Sequence, residues 1–278
     1  MKLIRSLLFV PGNRADRFDK ALAAGADLIC IDLEDAVAAE EKYAARQQVL
    51  SYLASLAPAE RSRVAVRINP LSTSLGEAEL NAFSGCAPGL LMLAKCQSAE
   101  EVSRAAAALP AGCGLIALIE SISGLQQATD IARASKTLQA LMFGGADLAA
   151  ELGCEFSYQP LLLARSQLVL AAAAASVQLI DVPFIDIHDE AALIAETKNI
   201  RALGFTGKAA IHPKQLAAIH QALMPTAAQL DYAKAVLSAA QVQQGGVLVV
   251  AGRMVDRPVI LSCQRILAYA GQPSGENC

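Results

Sequence analysis

The sequence predicts a (β/α)8 barrel, that is, a TIM barrel of the α/β class, followed by a C-terminal appendage of helix and loop. Eight short apolar runs, rich in Leu and β-branched residues, recur along the chain, and each ends in a polar residue, a charged residue or a turn. Segments of helical period separate these runs, which is the alternation expected of a parallel sheet with right-handed crossovers. The length of 278 residues also suits one such barrel, which typically needs about 250 residues.

The eight predicted strands alternate with loops that carry polar side chains. The strands are Leu7–Val10, Leu28–Leu33, Val64–Ile68, Leu90–Ala94, Leu115–Ile119, Ala140–Phe143, Leu179–Ile185 and Lys208–Ile211. The polar residues at or just beyond their ends include Arg14, Glu34, Asp35, Arg67, Lys95, Glu120, Asp147, Asp186 and His212. Because the carboxyl ends of parallel strands meet at one rim of a barrel, we expect these side chains to surround its mouth, where such barrels carry their active sites.

Helical periodicity fills most of the intervals between the predicted strands. The predicted helices are Ala15–Ala24, Glu40–Leu56, Ala99–Ala108, Ser123–Ala134, Pro160–Ser176, Glu190–Leu203 and Lys214–Ala222. Gly25 and Gly204 suit the left-handed residue that ends a helix, and Pro58 and Pro110 stop the helices before them. Since no second pattern interrupts the eight strands, a closed barrel is favoured over an open, doubly wound sheet.

The pattern changes after the eighth strand. The elements predicted there are a helix over Thr226–Gln241, a turn at Gly245-Gly246, an apolar run over Val247–Val250 and a final helix over about Val259–Tyr269. We therefore expect a catalytic barrel domain over residues 1–225 and an appendage over residues 226–278. The appendage would cover the barrel mouth or reach a neighbouring subunit.

The composition argues against several classes of protein. A formal net charge of −3 without a run of like charges argues against a nucleic-acid binder. The longest nearly apolar stretch, Leu168–Val177, is shorter than the roughly 18 residues of a membrane span. Few apolar residues precede Pro11, too few for the core of a signal peptide, and seven cysteines without a CxxC spacing indicate reduced thiols. We expect a cytoplasmic protein without a membrane or nucleic-acid partner.

Glu120 and Asp147 follow two consecutive predicted strands. Adjacent strand ends bring such carboxylates close together, and with no adjacent Lys they repel unless they share a proton or a cation. Hard oxygen ligands with open positions suit Mg²⁺, and Mn²⁺ accepts the same ligands. The alternative is that both acids are solvated and cap the following helices, a role that Ser121 and Ser123 can also fill.

A second acidic group ends the second predicted strand. Alternation places Asp32 and Glu34 on one side and Asp35 on the other. One of Glu34 and Asp35 is therefore expected to reach the mouth, where it would hold water at a bound metal ion. The alternative for Asp35 is a salt bridge to Lys42 or Arg46 on the next helix.

Arg67 lies inside an apolar strand, where burying its charge is costly unless it meets an anion. The anion is either a substrate carboxylate or thioester oxygen, or one of the acids at the mouth. The sequence contains no Ser/His/Asp or Cys/His order, no P-loop and no dinucleotide-binding motif. His188 and His220 match no catalytic pattern.

Pro11-Gly12-Asn13-Arg14 leads directly into a predicted helix. Backbone N–H groups at a helix start, together with an Arg, form an anion site, although Pro-Gly is also a common turn. Lys208, His212 and Lys214 flank the last predicted strand and are candidates for further phosphate contacts. His212-Pro213 fits a structural turn at a helix start equally well.

Taken together, these motifs resemble the citrate lyase β-subunit-like branch of the HpcH/HpaI aldolase superfamily, the acyl-CoA lyases. The resemblance runs from Arg5 to Pro258, nearly the whole chain, and keeps the family order. The matching segments are RSLLFVPGN (residues 5–13), DLEDAV (32–37), VRIN (66–69), IES (119–121), FGGADL (143–148), GKAAIHP (207–213) and GRMVDRP (252–258).

The resemblance implies roles for the residues at the barrel mouth. It assigns Mg²⁺ to Glu120 and Asp147, and water at the metal to Glu34 and Asp35. Arg67 would stabilise the thioester oxygen on which an enolate forms.

The resemblance also implies a cofactor-binding segment and an assembly. Pro11, Gly12, Asn13 and Arg14, together with Lys208 and His212, would contact coenzyme A. Members of the family are usually homotrimers in which the C-terminal segment closes over a neighbour's site. Asp256 would then act as an acid/base on the neighbouring subunit's substrate.

The implied reaction cleaves a 3-hydroxyacyl-CoA that carries a carboxylate into acetyl-CoA and a 2-oxo acid. A shorter N-terminal segment than that of multi-subunit citrate lyase β chains favours a free substrate of the citramalyl-CoA or malyl-CoA type. The alternatives are a citrate lyase β subunit that acts on citryl-ACP, a CoA thioester hydrolase on the same scaffold, and a non-catalytic acyl-CoA-binding protein.

Overall fold

The predicted barrel is confirmed as a closed sheet of eight parallel strands in a computed structural model that describes residues 3–242 and 248–271. Each strand pairs with the next along the chain, and the eighth pairs with the first to close the barrel. The strands are β1 (Ser6–Pro11), β2 (Leu28–Asp32), β3 (Val64–Ile68), β4 (Leu90–Leu93), β5 (Gly114–Ile119), β6 (Leu138–Phe143), β7 (Gln178–Asp181) and β8 (Gly207–Ala210).

Helices occupy every interval between consecutive strands and continue after β8. They are α1 (Phe18–Ala23), α2 (Lys42–Ser55), α3 (Pro58–Arg61), α4 (Ser74–Gly85), α5 (Ala99–Ala108), α6 (Ile122–Gln126), α7 (Ala128–Arg133), α8 (Gly145–Leu152), α9 (Leu162–Ala175), α10 (Glu190–Leu203), α11 (Gln215–Leu223), α12 (Ala227–Val242) and α13 (Arg257–Ala270). The helix cap predicted at Gly204 is present, with a φ of 120° at the end of α10. Short 3-10 turns precede α1 and α2.

Strand alternation divides the buried side chains into two layers. One set fills the barrel interior, and its members are two residues apart within a strand, as with Cys30 after Leu28, Met92 after Leu90 and Leu118 after Ile116. The other set faces the helices, as Ile29 and Ile31 do, and is equally buried. Because side chains of a strand point alternately to opposite faces, this phase decides which residues beyond a strand reach the mouth.

The seventh strand is shorter than predicted. The sequence indicated Leu179–Ile185, but β7 ends at Asp181. Pro183 has no N–H to donate, so it does not fit within a central strand. The residue that ends this strand is therefore Asp181 and not Asp186.

Three helices were missed in the sequence, namely the four-residue α3 and the longer α4 and α8. α4 contains Gly76 and ends at Gly85, and glycines weaken a helical signal. Position 76 requires glycine for a steric reason, because an added Cβ would lie 2.3 Å from the Pro70 carbonyl oxygen. α8 begins at Gly145, directly after Gly144, and this glycine pair also weakens the helical signal.

The chain divides into two compact units, residues 1–222 and 223–278. The second contains α12, α13 and a hairpin of β9 (Leu248–Val250) and β10 (Arg253–Val255). Both residues of the hairpin turn, Ala251 and Gly252, have positive φ, of 51° and 73°, as a two-residue turn of type I′ requires.

Some predictions for the tail lie outside the described residues, namely the glycine pair at 245–246, the first residue of the apolar run at 247, and the cysteine at 278. Within residues 3–242 and 248–271, no helix combines the length and the apolar character needed to cross a membrane.

Candidate active site

Strand alternation directs a set of side chains into a cavity at the carboxyl ends of the strands. Phe9, Asp32, Arg67, Glu120 and Gly144 each lie two residues beyond an interior residue of the barrel, and all line a cavity of about 440 Å³. Two further acids that line the same cavity are Asp35 and Asp147. Four carboxylates and one guanidinium thus share this space, which agrees with the predicted cluster of polar groups at the mouth.

Arg67 is held in a network of buried ion pairs. Its Nε and Nη2 donate to the two carboxylate oxygens of Asp32 at 2.7 and 2.6 Å, and its Nη1 lies 3.0 Å from Oε2 of Glu34 in an ion pair that is not aligned as a hydrogen bond. Although burial alone would lower the pKa of Arg67, Asp32 raises it. Of the two anions considered for Arg67, the internal acids are present, and Asp32 anchors it.

The carboxyl group of Glu120 is buried and held by the backbone. The side chain is 5% exposed, and its Oε1 accepts a hydrogen bond from the amide of Lys95 at 2.7 Å. Burial raises the pKa of Glu120 to about 8, and Glu34 and Asp147 act in the same direction. Gly144 permits this placement, because a Cβ there would lie 2.3 Å from the Cβ of Glu120.

Lys95, expected at the mouth from its place after the fourth strand, lies beside the acids there, although the argument for a metal pair assumed no adjacent lysine. Its Nζ lies 3.0 Å from Oε1 of Glu34, 3.9 Å from Oδ1 of Asp35 and 3.8 Å from Oδ2 of Asp147. The hydrogen bond to Glu34 raises the pKa of Lys95. The premise that these carboxylates lack a lysine neighbour is therefore wrong.

Both Glu34 and Asp35 reach the mouth, whereas alternation predicted only one of them. Glu34 is 3% exposed, and burial raises its pKa against the opposing charge of Arg67. Asp35 is exposed and lines the cavity. Alternation fails here because β2 ends at Asp32 and the chain turns, with the Asp32 carboxylate accepting the amide of Glu34 at 2.9 Å.

Negative charge exceeds positive charge in this cluster, even with Lys95 and Arg67 included. Among the described residues, Glu120 and Asp147 form no ion pair with an arginine, and burial is the main cause of the raised pKa of Glu120. Among the described residues there is no group of three or more His, Cys, Asp or Glu arranged to hold a metal ion. A cation here would take two carboxylates and complete its shell with water or ligand oxygens, which fits Mg²⁺.

A second set of buried residues supports the turn that carries Glu34. Lys42 donates to the carbonyls of Leu33 and Glu34 at 2.8 and 2.6 Å. Asn69 donates to the same Leu33 carbonyl at 2.9 Å and is itself held by both carboxylate oxygens of Glu79. The alternative considered for Asp35, a salt bridge to Lys42 or Arg46, is not found among the ion pairs of the described residues. The Lys42 ammonium binds these carbonyls, and Asp35 lies near Lys95 instead.

The segment Pro11-Gly12-Asn13-Arg14 lies partly at the cavity. Pro11 lines it, and the amide of Gly12 donates to the Asp32 carbonyl at 2.8 Å. A Cβ at Gly12 would lie 2.8 Å from that oxygen, so the close approach requires glycine. Asn13 donates to Glu41, and Arg14 forms an exposed ion pair with Asp16.

Lys208 does not reach the mouth. It lies in β8 beside the interior residue Ala209, so alternation turns it toward the helices, where it is fully buried. Its Nζ contacts Oδ2 of Asp181 at 2.8 Å and Oε1 of Glu196 at 2.7 Å, and Asp181 also accepts from Arg165. Lys208, which was expected to contact coenzyme A, instead forms ion pairs on the side of the strands that faces the helices.

His212 follows β8 and remains partly exposed. Its amide donates weakly to Oε1 of Gln215, at 3.3 Å, and its Nδ1 accepts from the amide of Lys214. These are the contacts of a turn at a helix start, one of the two roles considered for it. His220, for which no partner was predicted, lies 2.7 Å from Oγ of Ser6.

Asp256 belongs to the second unit, where it caps a helix. Its Oδ1 accepts a hydrogen bond from the amide of Val259 at 3.2 Å, which makes Asp256 the N-cap of α13. Arg253 stacks on the ring of Tyr232 within the same unit, with 5.3 Å between the guanidinium carbon and the ring centroid.

Known protein families that contain barrels of this kind match the chain. A model of the family described as HpcH/HpaI aldolase/citrate lyase matches residues 5–213, and one described as C–C bond lyase of the TIM-barrel fold matches residues 165–266. The citrate lyase subunit beta of Haemophilus influenzae is 35% identical, with 97% of this chain and 98% of that protein covered. The length difference proposed between this chain and such β subunits is therefore not present for this relative.

Two further relatives carry more specific names. A (3S)-malyl-CoA thioesterase of Cereibacter sphaeroides is 34% identical over 96% of this chain and 94% of that protein. The crystal structure of protein CitE from Mycobacterium tuberculosis, in complex with magnesium, acetoacetate and coenzyme A, is 34% identical, covers 97% of this chain and 99% of that chain, and superposes with a TM-score of 0.83. The chain therefore belongs to the HpcH/HpaI aldolase/citrate lyase family of carbon–carbon lyases, in its citrate lyase β-like branch.

Proposed function

We propose that this protein is a Mg²⁺-dependent lyase that cleaves a 3-hydroxy-carboxyacyl-CoA, of the citramalyl-CoA or malyl-CoA type, into acetyl-CoA and a 2-oxo acid. One observation carries the proposal. The buried carboxyl of Glu120 is fixed by a backbone amide beside the cavity that Asp147 and Arg67 also line. A binding protein for acyl-CoA needs no such pair of carboxylates, whereas a metal-dependent lyase does.

Glu120 and Asp147 are the proposed metal ligands. The excess of acids over cations and the raised pKa of Glu120 favour a divalent cation at this place, and the CitE structure was obtained with magnesium. Mn²⁺ would suit the same oxygens. When bound, the cation acidifies the substrate hydroxyl and polarises the product carbonyl as a Lewis acid.

Arg67 is the proposed stabiliser of the enolate. As the bond between the hydroxyl-bearing carbon and the α-carbon breaks, its electron pair moves toward the thioester carbonyl, whose oxygen gains negative charge. Two ion pairs fix the guanidinium at the cavity wall before the substrate arrives, so its electrostatic contribution needs little reorganisation. Glu34 and Asp35, which both lie near the Lys95 ammonium, would hold water at the metal ion and are the candidate acceptors of the hydroxyl proton.

Asp256 is the proposed acid that protonates the enolate carbon, acting from a neighbouring subunit of a homotrimer. This part of the proposal rests on the likeness of residues 252–258 to the family motif. It is tested by mixing two inactive variants, Arg67→Ala and Asp256→Asn, after refolding or co-expression. Activity in the mixed oligomers, absent from each pure variant, is the expected result; inactivity of the mixture contradicts action in trans.

The coenzyme A moiety is proposed to lie along Pro11, Gly12, Asn13 and Arg14 and beside His212. The exposed Arg14 and the partly exposed His212 are available for phosphate groups. Lys208 is left out of this binding surface because its ammonium is buried in its own ion pairs.

Thioester hydrolysis is the second candidate function, since a relative of equal similarity is a malyl-CoA thioesterase. The purified protein is incubated with citramalyl-CoA, malyl-CoA and citryl-CoA, with Mg²⁺ or with EDTA, while pyruvate, glyoxylate, oxaloacetate and free thiol are followed. Metal-dependent release of one oxo acid without thiol supports the lyase, whereas thiol without oxo acid supports the hydrolase. Inactivity on all three esters, with activity on citryl-ACP, supports a citrate lyase β subunit.

A further inference from the structure

Lys95 contacts four acidic side chains, which we call the acid cluster: Glu34, Asp35, Glu120 and Asp147. Its ammonium lies 3.0, 3.9 and 3.8 Å from carboxylate oxygens of Glu34, Asp35 and Asp147. Its backbone amide donates to Glu120 at 2.7 Å. One residue therefore contributes a charge to three acids and a fixed dipole to the fourth.

The backbone of Lys95 explains this double contact. Its φ is 49°, in the left-handed region that residues with a side chain enter at a cost. Lys95 lies two residues beyond Leu93, the end of β4, and three beyond Met92, which faces the barrel interior. By alternation its side chain would turn toward the helices, and the left-handed conformation directs it to the acids instead. A strained backbone at the mouth is typical of a functional position.

We propose that Lys95 is a positioning residue that sets the affinity of the acid cluster for a divalent cation. Its amide fixes the carboxylate of Glu120, and its ammonium acts as an internal counter-cation with which the incoming metal ion competes. This inference rests on the proposed function, because it concerns the cation that Glu120 and Asp147 are proposed to hold.

The competition follows from the charges and from the mobility of the lysine. The ammonium neutralises part of the acid cluster and repels a second cation within about 4 Å of it. The side chain is 39% exposed and carries its charge on a flexible stem, so it can turn into solvent when a metal ion binds. The amide of Lys95 does not move with the side chain and continues to hold Glu120.

Two variants that should adopt the left-handed φ at residue 95 at a similar energetic cost separate the effect of the charge from that of the backbone geometry. Lys95→Met removes the ammonium, while Lys95→Arg keeps a positive charge, and all three side chains are unbranched at Cβ. Titration calorimetry with MgCl₂ in the absence of acyl-CoA is expected to give a Kd about tenfold lower for Lys95→Met than for the wild type, the size expected of a partly screened unit charge. Lys95→Arg should stay close to the wild-type Kd.

Lys95→Gly provides an independent check. Glycine adopts positive φ without strain. The hydrogen bond from the backbone amide of residue 95 to Glu120 is therefore retained while the charge is lost. This variant should bind Mg²⁺ as tightly as Lys95→Met. The difference in Mg²⁺ affinity between the wild type and both variants should decrease as the NaCl concentration is raised, because salt screens the lysine charge in the wild type.

The outcomes separate this inference from the function on which it rests. Circular dichroism first checks that Lys95→Met and Lys95→Gly are folded. If the folded variants bind Mg²⁺ no more tightly than the wild type, the counter-cation role of Lys95 is overturned, while the proposal of metal-dependent cleavage still stands. If neither the wild type nor the variants bind Mg²⁺, the proposed function and this inference are both overturned.

Discussion

Arg67 and Asp32 face each other as partners of the β2–β3 ladder and join through two parallel hydrogen bonds of 2.7 and 2.6 Å. Both side chains are nearly buried, at 12% and 3% exposed. Asp32 therefore fixes the plane of the guanidinium, and the same carboxylate accepts the amides of Glu34 and Ala36. The orientation of Arg67 and the turn that carries Glu34 depend on one acid.

Asp32→Asn is expected to lower the free energy of unfolding by about 3 kcal/mol, because removing one partner leaves a buried charge poorly compensated. The control is Asp16→Asn, which breaks the exposed pair with Arg14 and should leave the free energy of unfolding nearly unchanged, because solvent screens an exposed ion pair. Urea denaturation measures both. Equal losses in the two variants would show that the buried pair has no special weight.

The stability of the metal-free protein is expected to depend on Glu120. Burial raises its pKa to about 8 from 4.5, so between these values the folded protein holds a proton that the unfolded chain has released. Stability contributed by the protonated carboxyl is therefore lost as pH rises from about 5 to about 8. Urea denaturation in EDTA across this range should show the loss in the wild type and a smaller one in Glu120→Gln. Parallel pH profiles for the two proteins would contradict it.

Gly144→Ala is expected to displace Glu120, since the new Cβ would lie 2.3 Å from the Cβ of Glu120 and 2.7 Å from its Oε2. Both the Mg²⁺ affinity and the cleavage rate should fall by about 10- to 100-fold, the usual effect of losing a contact that orients a metal-binding side chain. Gly85→Ala serves as the control, because a Cβ there meets nothing within 4 Å. The idea fails if Gly144→Ala binds Mg²⁺ as the wild type does.

Lys208→Met is expected to cost stability and not coenzyme A binding. Asp181 and Glu196 would lose the ammonium that lies within 2.8 Å of each, a loss of about 3 kcal/mol for a buried pair. His212→Ala should show the opposite pattern, with weaker coenzyme A binding and nearly unchanged stability. Urea denaturation and coenzyme A titration check both, and weaker coenzyme A binding by a folded Lys208→Met would restore the role first expected for it.

The barrel could be predicted from the sequence because its eight strands repeat a simple signal. Apolar runs of four to seven residues ending in polar groups give both the strand count and the rim. Glu120, Asp147 and Arg67 were predicted at the mouth because each lies near or just beyond the end of a strand. Arg67 and Glu120 also share the inward phase of Ala65 and Leu118, whereas Asp147 lies in the first turn of α8.

The failures have local physical causes. Lys208 was expected to contact coenzyme A because it flanks the last predicted strand and lies in the family motif, although the phase of Ala209 turns it toward the helices. The role of Lys95 was missed because a left-handed φ at a non-glycine residue leaves no mark in the sequence. The early end of β7 was indicated by Pro183, a signal that an otherwise apolar run obscured.

The central claim is that Glu120 and Asp147 together hold the divalent cation that cleavage requires. The most direct test measures oxo-acid release as a function of MgCl₂ for the wild type, Glu120→Gln, Asp147→Asn and the control Glu151→Gln, which removes a carboxylate one turn further along α8. The account predicts Mg²⁺-dependent release in the wild type and control, and a loss of about 100-fold or more in both ligand variants. Release that is unaffected by EDTA, or that persists in Glu120→Gln and Asp147→Asn, would contradict it.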